Sequence, residues 1–279
     1  MHFWRFQISS FLWLLFSASS SVAQGSLSPA LSLQFKETLS IPENTERTFV
    51  DHNNNLYFVA KDQIIRYSLA TGIRSIQSQK IWQNIQQVLA INTMKTVVFS
   101  QVQQTLCFTD NTLSSQGTCM DLQEFNLNNV TVVASSKRPD MLWLYDELNS
   151  QLVLFNFVKR QILQNVVNLR GILNIEGEVR LAENHFGLWL FTSAGQVIRL
   201  DDYLNALTEQ QLSYWSFLPY KNGGFMLRDK ALYYETILEG EVMIQALPLS
   251  TPSTILHIAG NQLLIEHEKL LEVYNIVAN

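Results

Sequence analysis

Charged residues are scarce in this chain: Asp, Glu, Lys and Arg make up 15% of its 279 residues, and the formal net charge is −5. The basic residues form no cluster, so the sequence gives no support to electrostatic binding of nucleic acid or anionic lipid. Apolar residues reach 47%, a fraction that is typical of a well-buried fold and argues against disorder.

The usual catalytic and cofactor-binding motifs are also missing. The sequence has no Gly-x-Ser-x-Gly elbow, no Gly-x-Gly-x-x-Gly fingerprint and no P-loop. His267-Glu268 begins like a zinc-protease helix, but Leu271 stands where the second His is required. Asp51-x-Asn53-x-Asn55 begins like a calcium loop, but Leu56 replaces the Gly of its sharp turn. We therefore expect no enzyme activity, no cofactor, no metal, and a solvated turn at Asp51.

Two further polar sets leave alternatives open. Asp201 and Asp202 could serve acid–base chemistry, but adjacent carboxylates at a strand end more often point apart and cap the next segment. His52, His185 and His257 could converge on one metal site, although isolated histidines are more often hydrogen-bonded structural residues.

No hydrophobic run is long enough to span a bilayer, which takes about 20 residues. Residues 1–23 instead predict a secretory signal peptide: Arg5 supplies the positive start, an apolar stretch covers Ile8 to Phe16, and Ser21-Val22-Ala23 is a small-residue cleavage site. A retained membrane anchor is the alternative. We expect cleavage near Ala23, a periplasmic location, and a mature chain of residues 24–279 that forms one domain without inserting into a membrane.

Cysteine is limited to Cys107 and Cys119. An even pair in an exported protein is usually a disulfide, and neighbouring antiparallel strands can bring two Cβ atoms within bonding range. The sequence therefore predicts a Cys107–Cys119 disulfide, and two free buried thiols are the alternative.

The sequence contains a sixfold repeat of one pattern, a short apolar strand followed by turn residues and a second apolar strand. The first strands begin 41, 45, 46, 37 and 38 residues apart. A period near 40 residues with several strands per unit is typical of a β-propeller in which each unit is one blade. The repeated pairs begin at Leu56 and Ile64, Val97 and Leu106, Leu142 and Leu152, Leu188 and Val197, Phe225 and Leu232, and Leu263 and Leu270.

This pattern predicts an all-β, six-bladed propeller. Leu31 to Leu39 has the alternation of a strand but has no partner of its own, so we expect it to join the last blade and close the ring. Leu200, Leu204 and Leu207 have helical spacing, which predicts one or two turns of helix between Leu200 and Gln211.

The richest aromatic segment contains Tyr214, Trp215 and Tyr220 and runs into the turn Asn222 to Gly224. Aromatic residues beside flexible turns suit a sugar-stacking or protein-binding surface. The alternative is that they fill the space between blades, as we expect of Trp143 and Trp189.

Several phrases resemble exported six-bladed β-propeller proteins of Bacteroidota. These are Asn55-Leu56-Tyr57-Phe58-Val59 with Ile65-Arg66-Tyr67, Leu142-Trp143-Leu144-Tyr145-Asp146, and Gly195-Gln196-Val197-Ile198-Arg199-Leu200-Asp201. The chain departs from the pattern at Asn54, which replaces the usual turn Gly, and at Leu200, which replaces an aromatic residue. The resemblance implies a periplasmic, non-catalytic propeller, in some cases a subunit of an envelope or secretion assembly.

We therefore expect a protein-binding scaffold with a protein partner in the cell envelope. The alternative is a propeller that binds a carbohydrate or small ligand, which includes a carbohydrate-active enzyme. An enzyme or sugar binder should gather several carboxylate, His or Arg side chains at one channel mouth, whereas a scaffold should expose an apolar or aromatic patch on one face. A purely structural subunit of a larger machine is a third hypothesis.

Overall fold

Six antiparallel sheets of four strands each are arranged around a central axis, which confirms the six-bladed β-propeller. The structure is a computed structural model that describes residues 31–61, 63–78, 84–211, 217–228, 231–236, 240–246 and 255–278. The predicted signal peptide lies outside these residues. Within them, no helix has the length and apolar character that crossing a membrane requires.

In blades 1 to 5 the strands follow the chain from the innermost to the outermost position, and in blade 6 the outermost strand is the N-terminal strand. Blades 1 to 3 are β2 (Arg47–Val50), β3 (Asn55–Ala60), β4 (Gln63–Ser68) and β5 (Arg74–Ser78); β6 (Ile85–Asn92), β7 (Lys95–Ser100), β8 (Thr105–Asp110) and β9 (Met120–Asp121); and β10 (Val130–Ser135), β11 (Met141–Asp146), β12 (Gln151–Asn156) and β13 (Gln161–Val166). Blades 4 to 6 are β14 (Val179–Asn184), β15 (Gly187–Thr192), β16 (Gln196–Leu200) and β17 (Ala206–Gln211); β18 (Phe217–Tyr220), β19 (Gly223–Arg228), β20 (Ala231–Thr236) and β21 (Gly240–Ala246); and β22 (Ile255–Ala259), β23 (Gln262–His267), β24 (Leu270–Ala278) and β1 (Leu31–Ser40). A 3-10 turn (Gln123–Phe125) and α1 (Leu169–Leu173) lie in the links before blades 3 and 4.

The N-terminal strand β1 closes the ring, as the sequence predicts, by pairing with β24 from Leu31 opposite Ala278 to Ser40 opposite Leu270. A β-bulge at Lys36 interrupts this pairing between Phe35 and Glu37. Because an extra residue reverses which face the following side chains occupy, the bulge divides the strand between two seams. Leu31 and Leu33 pack toward blade 5, whereas Leu39 packs toward blade 1.

Apolar side chains fill the seams between neighbouring blades, and this packing accounts for most of the repeat. Trp143 of β11 is 1% exposed in the core that joins blades 3 and 4, and its indole N–H donates to Glu183 Oε2 at 2.9 Å. Trp189 of blade 4 is also buried, and its ring lies 5.9 Å from that of Phe217 in blade 5. Both tryptophans therefore have the inter-blade packing role that their strand positions predict.

A repeated aspartate turn links strands at three places. In each, the third residue after Asp has positive φ, and the N–H of the fourth donates to the Asp carboxylate. The three turns are Asp51 with Asn54 and Asn55, Asp110 with Leu113 and Ser114, and Asp201 with Leu204 and Asn205. The pKa of the Asp110 carboxyl is lowered, first of all by the hydrogen bond from the Thr112 side chain.

The turn expected at Asp51 is present, but the prediction that it is solvated is wrong, because the Asp51 carboxylate is buried. Besides the turn N–H groups, Asp51 accepts hydrogen bonds from the Asn55 side chain and from the Tyr57 hydroxyl, at 2.9 and 2.8 Å. These donors compensate for the lost hydration of the charge. Burial raises the pKa of the Tyr57 phenol. Asp51 therefore joins the first and second strands of blade 1.

The helix expected between Leu200 and Gln211 is also wrong. Asp201 accepts hydrogen bonds from the N–H groups of Tyr203 and Asn205, which competes with helical hydrogen bonding. The chain then turns at Leu204, whose φ is +66°, and continues as β17. The leucine spacing reflects burial of Leu200 and Leu204 beside a turn rather than one face of a helix.

The Cys107–Cys119 disulfide is present, with a Cα–Cα distance of 4.2 Å. It joins the third strand of blade 2 to the residue before β9, an outer strand of two residues that pairs with β8 only at Thr105 and Leu106. The covalent bond therefore holds the outer edge of a blade whose last strand has little hydrogen bonding of its own.

Candidate interaction surface

The up-and-down order of strands gives the ring two faces of different construction. The turns between second and third strands and the links between blades form one face, which we name the BC face. The turns between first and second strands and between third and fourth strands form the opposite AB face. Binding residues of a propeller are expected in such loops, because the blades hold them in fixed positions.

Asparagine side chains join three pairs of neighbouring blades at the inner ring of the AB face. Each tie runs from one blade to the next: Asn53 Nδ2 to Asn92 O at 3.3 Å, Asn184 Nδ2 to Lys221 O at 2.8 Å, and Tyr220 Oη to Asn261 Oδ1 at 2.8 Å. These carboxamides bond other parts of the protein and join neighbouring blades. Asn184 and Asn261 bond through both the oxygen and the nitrogen of the carboxamide, so they have little hydrogen-bonding capacity left for a ligand at this channel mouth.

Charged residues of blades 3 and 4 form ion pairs with one another on the AB face. Lys137 Nζ lies 2.9 Å and Arg138 Nη2 3.6 Å from Asp202 Oδ1. The hydrogen bond from Lys137 is the main reason that the pKa of the Asp202 carboxyl is lowered, whereas bonds from the side chain and the backbone of Asn205 lower the pKa of Asp201. Asp201 therefore caps the turn before β17, whereas Asp202 forms surface ion pairs, so the two adjacent carboxylates have separate structural partners.

The three histidines considered as metal ligands occupy different places. His52 and His185 lie on AB-face turns of blades 1 and 4, which are opposite one another in the ring, and His257 lies on β22. His257 Nε2 is 2.9 Å from Glu266 Oε2, and the other oxygen of Glu266 accepts the Thr48 hydroxyl at 3.2 Å. Within the described segments, no three His, Cys, Asp or Glu side chains are grouped so that they could hold a metal ion.

The aromatic segment before Gly223 is described only in part, because Tyr214 and Trp215 lie outside the described residues. Tyr220 is 8% exposed, and its ring packs against those of Phe225 and Tyr234. Burial raises the pKa of its hydroxyl, which donates to Asn261. Both ends of the Tyr220 side chain are thus engaged within the fold. A binding role for this segment stays a prediction.

Exposed apolar side chains lie on consecutive blades of the BC face. We name this set the BC tips: Val102 (74% exposed), Leu148 (69%), Val167 (57%) and Ile172 (60%). Val102 and Leu148 occupy equivalent turns of blades 2 and 3, and the other two lie on the link from blade 3 to blade 4. A group of exposed apolar side chains on one face is typical of an interaction surface.

Hydrogen bonds hold the loops that carry the BC tips. Gln104, 5% exposed, donates from Nε2 to Val130 O at 3.0 Å and accepts from Val130 N at 2.7 Å, which fixes the Val102 turn to blade 3. Ser150 accepts the N–H groups of Leu169 and Arg170, through its carbonyl and its hydroxyl respectively. These bonds place the turn of Leu148 beside the link that carries Ile172.

Arg170 reinforces the same link. Its guanidinium pairs with Glu147 in the adjoining turn of blade 3 and donates to the carbonyls of Ile175 and Gly177. The loops around the BC tips are therefore preorganised, so a partner would have little loop entropy to freeze on binding.

Replacing Gln104 by Ala should lower the free energy of unfolding by roughly 2–4 kcal/mol, because both the N–H and the C=O of Val130 would lose a buried partner. Chemical denaturation followed by tryptophan fluorescence measures the loss. Gln103→Ala is the matched control, since Gln103 is an exposed neighbour and should change stability by less than about 0.5 kcal/mol. Equal losses in the two variants would contradict a structural role for Gln104.

Glutamines such as Gln104 that bond backbone groups of another segment were not found by the sequence analysis, although the sequence contains a signal for them. Gln196, two blades later, also bonds one backbone N–H and one backbone C=O, but in the link that precedes its own blade: it accepts Glu176 N at 2.7 Å and donates to Asn174 O at 2.9 Å. Both residues stand at or just before the start of a third strand. Recurrence of Gln at this position of the repeat is visible in the sequence, but its partner is visible only in the fold.

Comparisons with known proteins show the fold. No family model and no curated protein matches the sequence. The structure is similar to the WD40 domain of Pan2 from Neurospora crassa, with 8% identity over 87% of this chain and 95% of that chain and a TM-score of 0.56. It is also similar to a chain of the Mitotic Checkpoint Complex, with 10% identity over 97% and 100% of the two chains and a TM-score of 0.60.

A third similar structure is an enzyme variant, the catalytically inactive virginiamycin B lyase from Staphylococcus aureus. Its identity is 8%, the alignment covers 85% of this chain and 83% of that one, and the TM-score is 0.59. At such identities the likeness establishes the propeller fold alone.

Proposed function

We propose that this protein is a non-catalytic β-propeller that binds a protein partner through the BC tips. The observation that carries the proposal is the row of exposed Val102, Leu148, Val167 and Ile172 side chains on loops that hydrogen bonds hold in place. Full burial of a Val, Leu or Ile side chain contributes about 1.5–3 kcal/mol, so a few such residues can anchor an interface. One of the similar structures is a chain of a multiprotein complex, which is consistent with a scaffold role.

We further propose that the protein works in the periplasm, as an accessory subunit of an outer-membrane or secretion assembly. The Cys107–Cys119 disulfide supports export, because such bonds persist in oxidising compartments. The N-terminal segment with Arg5 and the Ser21-Val22-Ala23 site supports it independently. The resemblance to exported propellers of Bacteroidota points to the same compartment.

A carbohydrate or small-ligand role in the channel has less support. The carboxamides at the AB mouth are engaged in inter-blade hydrogen bonds, and His257 is paired with Glu266 in the seam between blades 6 and 1. The exposed apolar BC tips support a scaffold, and the AB face exposes a second apolar set that includes Met94, Val158 and Tyr203.

Charge placed on the BC tips should weaken partner binding strongly. We expect Val102→Glu/Leu148→Glu to weaken the complex at least tenfold, because the partner would have to desolvate two carboxylates. The matched control is Ile73→Glu/Val158→Glu, which changes two apolar residues of similar exposure, 61% and 59%, on AB-face turns. Proteins that co-purify with the tagged wild type from its native envelope are identified, and the purified partner is then titrated with both variants.

The comparison between the two double variants decides the outcome. Binding that survives the BC-face change, or that both double variants lose equally, would contradict the proposed surface. Circular dichroism and thermal unfolding of both variants establish that each ring is intact.

A further inference from the structure

The seam where the ring closes contains an apolar cleft of about 290 Å³ between the closing strand β1 and blade 1. The cleft is lined by residues of β1, of the link that follows it and of blade 1: Leu39, Ser40, Pro42, Phe58, Ile65, Tyr67, Gly72 and Arg74. The volume lies at the lower end of the range for small-molecule sites, and the largely apolar lining is typical of them.

The cleft exists because the two sides of this seam do not meet at the rim. The bulge at Lys36 turns Leu39 toward blade 1, where it joins the core of Leu56, Leu264 and their neighbours. Leu39 and Tyr67 are nevertheless only partly buried at the edge of that core. Apolar surface is therefore left without a packing partner, and a ligand that covered it would gain hydrophobic free energy.

A cationic group stands at the mouth of this cleft. Arg74 of β5 lies directly opposite Tyr67 of β4 in the sheet. Neither the Arg74 guanidinium nor the Tyr67 hydroxyl has a hydrogen-bond or ion-pair partner among the described residues, whereas Glu37 of the closing strand is paired with Lys36 at 3.1 Å. A guanidinium with five free donors is suited to a carboxylate.

We propose that this seam cleft binds a small amphipathic carboxylate, with its aliphatic chain against Leu39, Phe58 and Ile65 and its carboxylate at Arg74. Apolar walls without the cation would select only for hydrophobicity. The unpaired arginine adds selectivity for an anion, and the small volume limits the chain to medium length. The site is remote from the BC tips in the sequence and lies on another seam, so it does not depend on the proposed scaffold function.

The test is calorimetric titration of the intact mature protein with octanoate and with 1-octanol, both below aggregation. The two probes share a chain and differ in charge. We expect octanoate to bind more tightly to the wild type, and Arg74→Gln to weaken octanoate about tenfold while leaving octanol unchanged. Arg180→Gln is the matched control, because Arg180 is also exposed and also lacks an ion pair with any described residue. It should leave both probes unaffected.

A second variant tests where the aliphatic chain of the ligand lies. Ser40→Trp places a large ring at the exposed edge of the cleft and should abolish binding of both probes without lowering the unfolding temperature. Octanoate that binds no better than octanol, that is unaffected by Arg74→Gln, or that still binds to Ser40→Trp would overturn the proposal. Absence of octanoate binding to the wild type at millimolar concentration would overturn it as well.

Discussion

Reduction of the Cys107–Cys119 disulfide should lower the free energy of unfolding by about 3 kcal/mol, the value expected for a closed loop of this size. In a chain of this length that loss corresponds to a fall of roughly 6–12 °C in the unfolding temperature. The bond matters because β9 is short and pairs with β8 at two residues only. Without the disulfide, the outer edge of blade 2 would depend mainly on those few hydrogen bonds and on the turn at Asp110.

The measurement is thermal and chemical unfolding with and without reductant. The control is Cys107→Ala/Cys119→Ala, which lacks the bond under both conditions and should therefore show no response to reductant. Its stability should match that of the reduced wild type to within about 1 kcal/mol, since the substitutions also remove two small side chains. A reductant effect of the same size in the control variant, or none in the wild type, would refute a stabilising role for the bond.

The sequence predicts the frame of this protein because the frame depends on local patterns. Apolar pairs such as Leu142 to Tyr145 and Leu152 to Phe155 become β11 and β12, and the partnerless segment from Leu31 becomes the closing strand. The two cysteines could be paired because the repeat placed them on adjacent segments of one blade. Alternation of apolar residues is a property of the strand itself, so it is visible before the fold is known.

The features that the sequence analysis mispredicted or missed depend on how the chain folds in three dimensions. The leucine spacing after Leu200 led to a wrong prediction of a helix, because a turn built on Asp201 produces the same spacing of buried residues. The bulge at Lys36 could not be predicted, since it depends on the register with β24. An apolar turn residue such as Val102 has the same appearance in the sequence whether it fills a seam or projects from a face. Only blade packing distinguishes the two.

Removal of the closing strand should prevent formation of the native ring. A chain that begins at Ile41 lacks β1, which contributes Leu31 and Leu33 to the seam with blade 5 and Leu39 to the seam with blade 1. The loss of these contacts would cost roughly 4–8 kcal/mol, which is comparable with the total stability of about 5–15 kcal/mol of an ordinary domain. It would also leave the edge of β24 unpaired, and an exposed edge of this kind promotes aggregation.

The closing strand should also act when it is supplied as a separate molecule. We expect the chain that begins at Ile41 to aggregate on size-exclusion chromatography, and a peptide of residues 31–40 added during refolding to restore a monomer. A peptide with Leu33→Asp and Leu39→Asp should fail, because each change puts a carboxylate into one of the two seams. The matched peptide with Gln34→Asp and Thr38→Asp changes exposed positions and should still restore it. If the shortened chain were monomeric and unfolded at the same temperature as residues 24–279, β1 would be dispensable for closure, and contacts between blades 1 and 6 alone would close the ring.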